Sequence, residues 1–114
     1  MQSKRTLKKQ IRYICGDLVG ECLLIGEICP AEKLNEVNQL IVDLAVLQES
    51  TIQKTNFSYD KSPRDFSNEA EYRREKSKYV RAAFATLHKQ FNASLSEAVH
   101  RMNLIAGLAK NADA

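Results

Sequence analysis

The run Val80-Arg81-Ala82-Ala83-Phe84-Ala85-Thr86-Leu87-His88-Lys89-Gln90-Phe91-Asn92-Ala93-Ser94-Leu95-Ser96-Glu97-Ala98 decides the fold. Its apolar positions Val80, Phe84, Leu87, Phe91, Leu95 and Ala98 recur at intervals of four and three, and the phase continues through Met102, Ile105 and Ala109. That spacing is one face of an α-helix. Because the phase does not slip at Asn92-Ala93-Ser94, the segment reads as one helix. Upstream, Ser62-Pro63-Arg64-Asp65 offers a hydroxyl cap, a proline at the first position and an acid at the third. Asn68 with Glu71 offers a second start. From Asn68 to Lys110 such a helix would be about 64 Å long.

Nearer the N-terminus, Leu7, Ile11, Ile14, Leu18, Cys22 and Ile25 form a second helical stripe, with Ser3 as its cap and Gly26 as its stop. Leu34, Val37, Ile41, Leu44 and Leu47 or Gln48 form a third, opening at Pro30 and ending near Thr55. No segment shows strand-like alternation, and no internal repeat stands out. The spacing therefore predicts an all-α chain, an antiparallel three-helix bundle of one domain over residues 1–114. Its helices fall at about 4–26, 30–55 and 63 or 68 to 110, and a kink in the last would give a short fourth helix. Because the third stripe begins only at Val80, Glu69–Tyr79 is expected either to fold over the bundle end or, the favoured reading, to project towards a second subunit.

The chain has 114 residues, 44% apolar and 27% charged, which suits one soluble globular domain and leaves no room for a second. The stretch from Ile14 to Cys29 is broken by Asp17, Glu21 and Glu27, so no membrane span is predicted. No apolar leader opens the sequence, and Cys15, Cys22 and Cys29 are too far apart along one helix for a disulfide within it. Free thiols used as small core groups in a cytoplasmic protein are the expectation. Glu97-Ala98-Val99-His100 carries a single Glu-x-x-His where di-iron bundles need two, and its Glu97 and His100 point outward; no metal and no cofactor are predicted.

Two surface features remain. Tyr13, Gly16, Gly20, Leu23 and Leu24 lie opposite the first stripe, and Val42 and Val46 lie outside the second-helix stripe. Mid-helix glycine costs up to ~1 kcal/mol relative to alanine, so Gly16 and Gly20 call for a reason. A homodimer through these seven residues is predicted. The net charge of +3 is also laid out in blocks: +5 over residues 1–14, −6 over 15–60, +3 over 61–81 and +1 over the rest. Lys4, Arg5, Lys8, Lys9 and Arg12 should share one pole with Arg73, Arg74, Lys76, Lys78 and Arg81. With Tyr72 and Tyr79 interleaved, that pole could follow phosphates and stack on bases, or complement the acidic second helix of a partner subunit.

Arg81 and His88 stand seven residues apart on one helix face. Such a pair late in a small all-helical chain resembles the signature of HEPN-type ribonucleases. The resemblance implies a dimer whose paired Arg81 and His88 attack an RNA backbone without metal, His88 as acid and base and Arg81 stabilising phosphate charge. Ala82 stands where that family commonly has a polar residue. More broadly, Lys8-Lys9-Gln10-Ile11-Arg12-Tyr13-Ile14-Cys15 and Phe91-Asn92-Ala93-Ser94-Leu95-Ser96-Glu97 resemble small helical proteins of gut bacteria, a likeness that implies no activity. The sequence favours a non-enzymatic, self-associating interaction or scaffold protein with a protein partner. A nucleic-acid-associated bundle comes second and an HEPN-like nuclease third.

Overall fold

A computed structural model describes residues 3–112, with side chains described over 3–107. Three helices, α1 (Lys4–Ile28), α2 (Leu34–Lys54) and α3 (Glu69–Ala112), account for nearly all of it, and no strand occurs among the described residues. Short 3-10 turns precede α2 (Ala31–Lys33) and α3 (Pro63–Asp65). The molecule is a rod of 70 × 18 × 17 Å. The third helix sets that length: 44 residues rise about 66 Å. It is one helix without interruption from Glu69, so a separate fourth helix does not form.

Local signals place the ends. Ser3 Oγ accepts a hydrogen bond from the Thr6 amide at 3.1 Å, filling one of the four unpaired donors of the first turn of α1. Ser62 and Asp65 make a reciprocal capping box on the 3-10 turn. Asn68 Oδ1 then accepts from the Glu71 amide at 2.8 Å and starts α3. Gly26 does not stop α1, which runs on to Ile28. It faces α2 instead: a Cβ at Gly26 would lie 3.4 Å from Val37 Cγ1, in van der Waals contact. The predicted opening of α2 at Pro30 becomes the 3-10 turn, with regular helix from Leu34.

Two apolar clusters hold the rod together. At one end Leu7, Ile11 and Cys15 of α1 meet Leu87 and Phe91 of α3, flanked by Leu47 and Ile52 of α2. Further along, Cys22 meets Val37, Leu40 and Leu44 of α2 and Ala98, Met102 and Ile105 of α3. The order of these contacts makes α2 antiparallel to both α1 and α3, the up-down-up bundle read from the stripes. Burying each large apolar side chain contributes about 1.5–3 kcal/mol, so these few layers supply most of the cohesion.

The stripes of α1 and α2 stand at most positions, with Leu7, Ile11, Cys22, Val37 and Leu44 buried as read, and depart at a few. Cys15 is buried and Ile14 is more than one-third exposed. On α2 the buried residues are Val37, Leu40, Leu44 and Thr51, with Thr55 just past its end, while Leu34 is exposed. Each helix touches two neighbours, so its core face is the bisector of two contacts, and small or hydroxylated side chains fill the narrow places. Thr55 is fully buried because its hydroxyl donates to the Ile52 carbonyl at 2.6 Å. In α3 the stripe stands as read from Val80 to Ile105; the side chains of Ala109 and Lys110 lie outside the described residues.

The first three turns of α3 do not project bare. The segment after α2 folds back along them and covers them with aromatic rings. Phe57 packs edge-on to Phe84 at 5.1 Å between centroids and to Tyr79 at 6.2 Å. Tyr59 lies 5.3 Å from Tyr79 and 5.9 Å from Tyr72, and Phe66 lies 5.7 Å from Tyr72. Six of the eight aromatic residues of the chain meet here. The expectation that Glu69–Tyr79 finds little to bury against its own chain is thereby corrected: the connecting segment, polar on average, carries the missing apolar surface.

Candidate interaction surface

The outer face of α1 is the most apolar exposed surface. Tyr13 is 76% exposed and Leu24 65%, and Leu23 and Ile28 are more than half exposed beside them. A Cβ built at Gly16 or Gly20 meets nothing within 4 Å. No intrachain contact therefore requires glycine at either position. Ile28 extends the face by one turn beyond the residues read from the sequence. On α2, Val42 and Val46 are exposed too, but Val46 borders a groove of about 320 Å³ between α2 and α3, with Asp43, Leu47, Ser94, Glu97 and Arg101.

That groove continues towards the C-terminal end as a wider one of about 590 Å³, lined by Lys33, Glu36, Gln39, Arg101, Leu104 and Ile105 among others. Arg101 and Asp43 stand between the two stretches, Nη1 to Oδ2 at 2.9 Å. Gln39 Nε2 donates to the other oxygen of Asp43 at 2.9 Å. The Gln39 hydrogen bond, and then Arg101, hold the Asp43 carboxyl below its ordinary range. Sequence periodicity could not reveal this tie, since its partners are 58 residues apart.

Of the basic residues read as one pole, several are already engaged. Lys4 Nζ donates to the Phe57 carbonyl and sits 4.4 Å from the centre of the Phe57 ring. Lys8 donates to Asn56 Oδ1 at 3.1 Å. These two lysines clamp the aromatic segment to α1. Arg73 pairs with Glu69 at 2.9 Å, Lys78 with Glu75 at 3.5 Å and Arg74 with the same glutamate at 4.0 Å. Lys76 lies over Tyr72, 5.7 Å from the ring centre. Arg5, Lys9, Arg12 and Arg81 are exposed, and none of them is in an ion pair among the described residues. The positive field is therefore weaker than the count of cations suggests.

Arg81 is exposed and His88 half-buried, two turns apart on α3. Neither lines the α2–α3 grooves described above. Glu97 and His100 are both exposed, as their positions predict. Among the described residues no group of three or more His, Cys, Asp or Glu side chains is placed to hold a metal ion. Cys15 and Cys22 are buried free thiols, and burial is the first cause raising the pKa of each. Cys29 is half-buried and donates to the Gly26 carbonyl, Sγ to O 3.7 Å. No helix among the described residues is long and apolar enough to cross a membrane.

No protein-family model matches this chain, and no curated protein or solved structure does either.

Proposed function

We propose that this chain is a non-enzymatic helical interaction protein of the cytoplasm, which self-associates into a homodimer and in that form binds a protein partner. The observation that carries the reading is the outer face of α1, where Tyr13, Leu23 and Leu24 are exposed around two glycines that nothing in the same chain needs. Contiguous apolar surface of this kind favours association, because its removal from water is the main driving force between folded chains. The surface area points the same way. The molecule exposes 7905 Å², against about 6300 Å² for a compact monomer of its 12.9 kDa. The excess is larger than the about 800 Å² per partner that a standard interface covers.

Sedimentation equilibrium on the full chain at micromolar concentration tests the reading. A mass of twice 12.9 kDa is expected. A monomer at tens of micromolar would overturn self-association.

A second reading, binding of single-stranded nucleic acid by the basic end, is supported by the exposed Arg5, Lys9, Arg12 and Arg81. The pairing of Arg73, Arg74 and Lys78 with acids of their own helix weighs against it. Retention on a heparin column that vanishes at moderate salt would support it. Failure to bind a single-stranded oligonucleotide at low salt would end it.

A further inference from the structure

The outer face of α1 is self-complementary, and we infer that its occupant is the same face of a second copy, lying antiparallel across Gly16 and Gly20. This rests on the self-association proposed above and goes beyond it by fixing the partner, the direction and the pairs of residues.

The argument begins with helix geometry. Residue 18 is the midpoint of Gly16 and Gly20, and a two-fold axis there, perpendicular to the helix, brings residue i of one copy level with residue 36 − i of the other. Gly16 then faces Gly20, Tyr13 is level with Leu23, and Arg12 with Leu24. Lys9 is level with Glu27. Those two residues are eighteen apart, which is five whole turns at 3.6 residues per turn, so they lie on the same line along the helix. That line runs between Gly16 and Gly20, about the centre of the exposed face. Each of the pair is about 13 Å from the axis.

Charge decides the direction. Residues 1–14 carry five cations and no acid, whereas the rest of α1 carries Asp17, Glu21 and Glu27 and no cation. A parallel pairing would set cations on cations and Glu27 on Glu27. The antiparallel one sets Lys9 on Glu27 twice, once at each end of the contact. Neither Lys9 nor Glu27 is in an ion pair with its own chain among the described residues. The contact is isologous and closes on itself, so it makes a dimer and no fibre. The bare backbone at Gly16 and Gly20 lets the two helices approach closely at the centre, with Tyr13 and Leu23 of each copy closing over the sides.

Charge reversal tests this on the full chain, with sedimentation velocity reading the dissociation constant. Lys9→Glu sets Glu on Glu27 at both ends, and Glu27→Lys sets Lys on Lys9 at both ends. Each variant alone should dimerise about tenfold more weakly than the parent, because two exposed pairs are lost and replaced by repulsions. An equimolar mixture of the two should recover parental affinity, since every end then joins Glu to Lys; the double variant should recover it too. Gly20→Leu, at a position where an added Cβ meets nothing in its own chain, should keep the fold by circular dichroism and abolish the dimer.

If the parent dimerises and both single reversals leave its affinity unchanged, the antiparallel α1 contact is wrong and self-association stands. If the singles weaken it and neither the mixture nor the double variant recovers, Lys9 does not face Glu27 and the inference fails. If the parent is a monomer, both readings fall.

Discussion

Arg101 of α3 and Asp43 of α2 form the one ion pair between helices among the described residues, with Nη1 2.9 Å from Oδ2 and both side chains more than one-third exposed. Its pH dependence follows from the direction of the Asp43 shift. The Gln39 hydrogen bond and Arg101 lower the pKa of this carboxyl in the folded chain. Its contribution to stability is therefore complete above the ordinary aspartate value of about 3.9 and is lost as pH falls through the lower folded value. Asp43→Asn should melt slightly below the parent at pH 7, and the gap should close as falling pH protonates Asp43 in the folded chain. A gap unchanged down to the most acidic pH at which the chain stays folded would mean Asp43 acts through packing and not through charge.

Phe57 anchors the segment that covers the first turns of α3. It touches Phe84 and Tyr79, and Lys4 lies over its ring. Phe57→Ala should destabilise the fold by about 2 kcal/mol, less than a fully buried phenylalanine because Phe57 is only half-buried. Urea unfolding followed by far-ultraviolet circular dichroism measures it. A loss below ~0.5 kcal/mol would show that the aromatic segment does not hold α3.

Tyr59 titrates in the opposite sense to Asp43. Burial first, then the charges of Glu75 and Asp60, raise its phenol above the ordinary value of about 10. The stability it lends is present below that value and is lost as pH rises through the raised one. Tyr59→Phe should therefore resist alkaline loosening that the parent undergoes. Thermal melts at pH 9 and at pH 11.5 should bring the variant above the parent only at the higher pH.

The glycines of α1 separate by environment. At concentrations too low for association, Gly16→Ala and Gly20→Ala should each stabilise the chain by up to ~1 kcal/mol, since an added methyl meets nothing and alanine is the better helix former. Gly26→Leu should cost about 1–3 kcal/mol by forcing α2 away at Val37. Denaturant midpoints for the three variants give the comparison, and a destabilising Gly16→Ala would show that α1 needs that glycine within its own chain.

Thiol reactivity should follow burial. Cys29 is half-buried, whereas Cys15 and Cys22 are each 1% exposed with their pKa values raised. A chromogenic disulfide should label one thiol of the native chain promptly and the other two only on unfolding. Prompt labelling of all three would contradict the packing at both apolar clusters.

The long stripe of α3 was legible because every residue in it is apolar, most of them large, and the helix offers one face to the α1–α2 pair. The caps at Ser3 and Asn68 were legible because each is a local contact between a side chain and an amide three residues on. The core phase of α2 was not, since hydropathy ranks Ile41 above Thr51 and Thr55, and the hydroxyl of Thr55 is satisfied by its own chain. On α1 hydropathy ranks Ile14 with the core, whereas Cys15, expected as a small core thiol, is the buried one of the two. On the candidate surface, the exposure of Tyr13, Leu23, Leu24 and Val42 could be read from angle alone. The engagement of Lys4 and Lys8 by Phe57 and Asn56 could not, because it depends on where a connecting segment lies. The crowding of six aromatic residues between positions 57 and 84 was a signal open to simple counting.

That same crowding makes the molecule optically lopsided. The chain has no tryptophan and four tyrosines, of which three sit in the ring cluster at the end where α3 begins. Near-ultraviolet dichroism of the native chain is therefore a report on that end, and the apolar layer around Leu40 and Met102 is spectroscopically dark. The fourth, Tyr13, stands apart on the outer face of α1. Its emission is a built-in gauge of whatever comes to rest there.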